Sequence, residues 1–102
     1  MRIRKVILPS DMRETALVPM ARGAEILCAR RAWVADDPAH PASNGGWRIA
    51  LYVREDPDAL VVNRAVACAA TGGDAPTFGA YLGGIFDGGN DLLHVFDMGE
   101  QA

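Results

Sequence analysis

Among the residues of this sequence that could carry chemistry, His94 stands first, because imidazole is the side chain whose ordinary pKa falls near neutrality. It sits in the closing segment Leu92 to Met98, LLHVFDM. A catalytic role needs a nucleophile or an acid beside it, and the sequence marks none. Ser10 and Ser43 lie in turn-forming stretches without a nucleophile-elbow pattern. A neutral imidazole among Leu92, Phe96 and Met98 is expected instead to donate to a buried carbonyl or carboxylate. The other histidine, His40, follows Asp36 and Asp37 in a loop, but the spacing fits no site in which three or four ligands share a defined geometry. Asp87 and Asp91 invite a calcium reading and fail it, since the twelve-residue pattern and its closing glutamate are missing. Cys28 and Cys68 form no CxxC pair and read as two buried thiols, with a single cross-strand disulfide as the alternative. These residues predict no catalytic centre, no metal and no cofactor, so we expect a protein that is not an enzyme.

The element that dominates the sequence is Gly46 to Asp58, GWRIALYVREDPD. On an extended chain Trp47, Ile49, Leu51 and Val53 fall on one face, and Arg48, Ala50, Tyr52 and Arg54 on the other. Such alternation predicts a strand with one face in the core, closed by a turn at Glu55-Asp56-Pro57-Asp58.

The other segments follow the same logic. Residues 3–8, IRKVIL, are β-branched and aliphatic and stop at Pro9, and residues 13–20 allow a short second strand, so the two together predict a hairpin. Residues 25–35, EILCARRAWVA, read as a strand interrupted at Arg30 and Arg31, where a bulge would relieve the break in alternation; a helix is the competing reading. Residues 36–46 are a loop. Residues 60–71, LVVNRAVACAAT, are helix or strand on periodicity alone. Residues 78–86 read as a bent, glycine-rich strand, 87–91 as a hairpin turn and 92–98 as the last strand.

A chain of 102 residues, half of them hydrophobic and 23% charged, fits one folded domain. Its short N-terminal apolar run ends at a proline, which argues against a signal peptide, and no run of about 18 apolar residues is present, so neither secretion nor a membrane span is expected and a cytoplasmic setting is the simplest. Net charge is −3, but residues 1–31 hold seven of the ten basic residues with three acids, whereas residues 32–102 hold ten acids with three basic residues. In an antiparallel fold these halves interleave, so opposite charges are expected to face each other across strands.

In order along the chain stand Arg4-Lys5-Val6, Gly23-Ala24-Glu25-Ile26-Leu27, Ala50-Leu51-Tyr52-Val53 with Asp56-Pro57, Ala70-Thr71-Gly72, Tyr81-Leu82-Gly83-Gly84 and Leu92-Leu93-His94-Val95-Phe96. In this order the chain resembles a family of short, β-rich proteins of unassigned function encoded by bacteriophages and prophages. It departs from the family's pattern at Ala70, where glycine is usual, at Gly84, where threonine is usual, and in a longer loop at residues 36–45. The resemblance implies a strand for residues 60–71 and a phage setting in a host cell's cytoplasm. It implies no activity and assigns no functional residue.

The fold expected is all-β: six or seven antiparallel strands in a small sandwich or partly open barrel. The function expected is a non-enzymatic interaction module whose partner is a host or phage protein, either an inhibitor of a host defence system, anti-CRISPR-like, or a virion accessory protein. Arg30, Arg31, Trp33, Arg48, Tyr52 and Arg54 are the candidate partner-binding residues, arginines and aromatics being the side chains that dominate interfaces. The alternative is a small β-barrel binding single-stranded nucleic acid through Arg2, Arg4, Lys5, Arg13, Arg30 and Arg31 with Trp33 or Tyr52 stacking, against which stands the acidic net charge. Unpaired edge strands would allow a homodimer.

Overall fold

The computed structural model describes residues 1–8, 15–35, 45–86 and 92–101, with the backbone alone at positions 45, 47 and 86. The described residues form seven strands: β1 (Arg2–Ile7), β2 (Ala16–Ala21), β3 (Glu25–Ala35), β4 (Gly45–Glu55), β5 (Val61–Ala70), β6 (Ala80–Phe86) and β7 (Leu92–Gln101). They build two antiparallel sheets, β1-β4-β3 and β2-β5-β7-β6, which pack face to face and do not close into a barrel. The segment at 60–71 that composition left open is therefore strand, and its valines outweigh the helix preference of its alanines once Val66 is buried between the sheets.

Alternation along β4 fixes the three-stranded sheet. Ile49, Leu51 and Val53 point into the core and meet Val18, Met20, Val66, Ile85 and Val95 of the other sheet. The side chain of Trp47 lies outside the described residues. Being central, β4 is paired along both edges, Arg2 to Ile7 with Glu55 to Ala50 on one side and Glu25 to Ala35 with Arg54 to Gly45 on the other.

Two expectations are corrected. β1 and β2 do not form a hairpin: β1 pairs with β4 and β2 with β5, in different sheets. The turn residues between them, 9–14, lie outside the described residues, but the reason is visible in the partners. Arg2 and Arg4 of β1 reach the carboxylate of Glu55 at the end of β4, which fixes β1 against that strand. The bulge in β3 falls between Ile26 and Cys28, not at Arg30 and Arg31. The ladder is regular through both arginines, so they project to opposite faces.

The chain crosses from β2 to β3 through a tight corner at Ala21-Arg22-Gly23-Ala24, with Gly23 at a φ of 77°, a region that glycine enters without steric cost. A carboxylate from each sheet holds this corner. Glu55 of β4 accepts the Ala21 N–H at 2.8 Å, and Glu100 of β7 accepts the Gly23 N–H at 2.6 Å.

Candidate functional site

Register places the six candidate partner-binding residues on two faces. Arg48, Tyr52 and Arg54 project outward from β4, and Arg30, paired with Ala50, joins them from β3. Lys5, paired with Tyr52, and Ile3 and Ile7 on either side of it complete the face from β1. Arg31 and Trp33 pair with Ile49 and Trp47, so they lie on the opposite side, on the face that forms the core nearer the middle of the sheet. Trp33 is half exposed there.

The outer face of the three-stranded sheet thus carries Lys5, Arg30, Arg48 and Arg54 against one carboxylate, Glu25, in a protein of net charge −3. Arg54 is salt-bridged to Glu25. Arg48 donates twice to the Leu8 carbonyl, at 3.0 and 2.7 Å, which ties the end of β1 to the start of β4. Tyr52 lies between Lys5 and Cys28 in the row across the sheet. Basic and partly aliphatic, this face can hold a complementary surface.

Elsewhere the expected pairing of opposite charges is found, and it is buried. Glu55 is 1% exposed. Its Oε1 accepts from Arg4 Nε at 2.6 Å and Arg2 Nη2 at 3.1 Å. The Arg4 guanidinium, opposed by burial and aided by the Ala21 amide and Arg2, pulls the carboxyl down to about 2. Reading Glu55 as part of a turn missed this. The signal was its parity, since it continues the inward series of Ile49, Leu51 and Val53.

Arg64 and Asp97 form a second pair, bidentate at 2.9 Å for both contacts and 13% and 14% exposed, with Glu100 3.7 Å from the guanidinium. Burial opposes ionisation of Asp97, but Arg64 and the Gly99 N–H outweigh it and hold the carboxyl below its usual range. The bond to Asp97 in turn raises the Arg64 pKa. Both groups share the parity of core residues, Val66 on β5 and Val95 on β7, so both charges project inward. All three carboxylates of these clusters stabilise the fold, and each is occupied by arginine or backbone.

His94 lies on the outer face of the four-stranded sheet. Leu93 and Val95, on the opposite side, point to the core, so the side of His94 that the sequence suggested would be buried is the outer one. Its partners are hydroxyls, not the carbonyl or carboxylate that the sequence suggested: Thr71 Oγ1 lies 2.9 Å from Nε2 and Tyr81 Oη 2.8 Å from Nδ1. Thr71 donates its proton to the Leu92 carbonyl at 3.1 Å, so it accepts from Nε2–H, and Nδ1 accepts from Tyr81. The result is a one-way chain from Tyr81 through His94 and Thr71 to the backbone, with both ring nitrogens satisfied. Tyr81 also meets Phe96 edge to face, ring centroids 5.3 Å apart. Nothing in the sequence could have paired these groups, because Thr71 and Tyr81 lie on other strands and turns.

Cys28 and Cys68 are free thiols, half buried and on different sheets, so they are not the cross-strand neighbours that the disulfide alternative supposed. Burial pushes Cys68 up to about 11. Among the described residues no group of three or more His, Cys, Asp or Glu could hold a metal ion, and no helix is long and apolar enough to cross a membrane. His40 and its aspartates, Asp87, Asp91, Ser10, Ser43 and Arg13 lie outside the described residues. No protein-family model matches the chain, and neither a curated protein nor a solved structure proves significantly similar to it.

Proposed function

We propose that the chain is a non-enzymatic interaction module that holds an acidic protein partner against the outer face of its three-stranded sheet. One observation carries this reading: Ile3, Lys5 and Ile7 in one lane, Arg48, Tyr52 and Arg54 in the next and Arg30 in the third share one face, on which cations surround a tyrosine and aliphatic groups. Tyrosine and arginine are the residues that most often anchor interfaces, and a basic face on an acidic protein steers encounter with an acidic surface. The resemblance to phage-encoded proteins suggests a host protein in the host cytoplasm as that partner, as for an anti-defence inhibitor, or another phage protein in a virion accessory role.

Single-stranded nucleic acid is the competing ligand for the same face. It is less favoured because the chain carries a net charge of −3, whereas phosphate binding draws on a positive field over the whole domain. Affinity capture from host lysate with the wild-type chain and with Lys5→Glu plus Arg30→Glu, read by mass spectrometry, tests the proposal. A partner with an acidic surface that the wild type retains and the charge-reversed variant loses supports it. Salt-dependent binding of a single-stranded oligonucleotide that the same variant abolishes, with no protein retained, overturns it in favour of nucleic acid.

A further inference from the structure

β1 is a margin of the three-stranded sheet, paired with β4 on one side and with no strand on the other among the described residues. Its ladder fixes which main-chain groups stay open. The Leu8 N–H donates to the Ile49 carbonyl at 2.9 Å, and Leu8 and Ile49 continue the register that sets Val6 against Leu51 and Arg4 against Val53. In an antiparallel pair the residues that bond to the neighbour alternate, so Arg2, Arg4, Val6 and Leu8 turn their N–H and C=O groups towards β4, whereas Ile3, Lys5 and Ile7 turn theirs away. Three donors and three acceptors thus stand at intervals of about 6.6 Å along an open rim. The side chains of the same three residues lie on the outer face, Ile3 66% and Ile7 36% exposed, and Lys5 has no acidic partner among the described residues. Neither proline nor a bulge interrupts β1.

We propose that β1 accepts an extended acidic segment of another protein as a fourth strand of this sheet, antiparallel to β1. The proposal deepens the reading of the basic face as the seat of an acidic partner, and it rests on that reading. The open rim specifies an extended backbone, because donors and acceptors at this spacing are answered by a strand. Charge specifies what the strand carries. β1 contains Arg2, Arg4 and Lys5 and no acid, and Arg48 and Arg54 follow on the same outer face from β4. A segment with an acid opposite Lys5 and apolar side chains opposite Ile3 and Ile7 matches the rim residue by residue. A second copy of the chain does not. The two registers that overlap most of the strand under two-fold rotation set Lys5 against Lys5 or Arg4 against Arg4, and like charges directly opposite destabilise a pair. The rim is also fixed in place beforehand. Glu55 holds Arg2 and Arg4 from the inner side, and Arg4 reaches on to the Pro19 carbonyl, so little order is left to impose on β1 when a partner arrives.

Amide hydrogen exchange of the full chain, read by NMR, tests the proposal with a capped peptide, Val-Thr-Glu-Glu-Val-Glu, whose antiparallel pairing sets its valines opposite Ile7 and Ile3 and its first glutamate opposite Lys5. In the free protein the amides of Ile3, Lys5 and Ile7 should exchange faster than those of Arg4, Val6 and Leu8, which are bonded to β4. Saturating peptide should slow the first three. N-methylation of the first glutamate, which removes the N–H that meets Lys5, should weaken binding by about fivefold or more, and N-methylation of the second, whose N–H points away from β1, should not. No slowing at millimolar peptide, or equal effects of the two methyl groups, overturns the proposal. So does slow exchange of Ile3, Lys5 and Ile7 in concentrated protein without peptide, which makes a second copy the occupant. A peptide that perturbs Arg30 and Tyr52 without slowing Ile3, Lys5 or Ile7 overturns strand addition alone and leaves docking on the basic face standing. A counterpart with lysine for each glutamate that binds equally well overturns the acidic partner too.

Discussion

Replacing Glu55 by glutamine asks whether a single buried carboxylate holds the sheet-crossing corner. The substitution keeps the shape of the side chain and one acceptor for the Ala21 N–H but removes the charge that Arg2 and Arg4 face. Folding lowers this carboxyl from 4.5 to about 2, a difference that corresponds to on the order of 3 kcal/mol. Arg2 and Arg4 keep 53% and 36% of their side-chain surface in water, so solvent screens part of the attraction, and we expect a loss of about 2 kcal/mol at pH 7. In a domain of this size that lowers Tm by roughly 10 °C. Because the ionised form favours the native state, the contribution is complete above pH 4.5, declines as pH falls and is lost as pH passes below about 2. Urea unfolding of wild type and Glu55→Gln, followed by circular dichroism, should therefore show a gap at pH 7 that narrows steadily towards pH 2. A gap below about 0.5 kcal/mol at pH 7, or one of equal size at both ends, would refute the reasoning.

Three further outcomes are expected. Asp97→Asn and Arg64→Met should each destabilise by about 2 to 4 kcal/mol, since each strands a nearly buried partner, while the double substitution should cost clearly less than the sum; additive losses in a double-mutant cycle would contradict the pairing. Gly79→Ala should cost more than Gly23→Ala in thermal melts, because both have positive φ but only at Gly79 would a Cβ meet Met98 Sδ at 2.8 Å and the Asp97 carbonyl oxygen at 2.9 Å; at Gly23 the space is open and about 1 kcal/mol is expected. In the folded protein Cys68 should react with a thiol reagent slowly at pH 8 and faster as pH approaches 11, where its thiolate forms, and rapid labelling of Cys68 at pH 8 would contradict its burial.

Where one face of a segment is buried and the other wet, the residues alone were enough to read it. β4 is such a segment, and its inward and outward sets were legible from alternation. The same parity rule carried one step further would have found Glu55, which the turn residues behind it obscured. The sheet partner of β1 was not legible, because turn chemistry says that a chain reverses and not which sheet it joins. The bulge at Ile26 to Cys28 was equally hidden, since two adjacent arginines disturb the pattern of hydrophobicity without disturbing the ladder. His94 could be marked as polar on an apolar strand, but its hydroxyl partners arrive from other strands and carry no signature. Of the six candidate interface residues, four share a face and two do not, a separation that only the register across β3 and β4 reveals.

Pro19 lies on β2, the outermost strand of the four-stranded sheet. It supplies no amide proton, and its carbonyl oxygen already accepts from Arg4 Nη2 at 3.2 Å. A foreign strand approaching that rim would find neither donor nor acceptor at this position. At the opposite rim, β6 is kinked by a register shift between Tyr81 and Gly83, with Gly83 at a φ of 130°. Both margins of the larger sheet are thus poor templates for runaway stacking, and a protein whose described elements are all strands is guarded there against growing into fibrils.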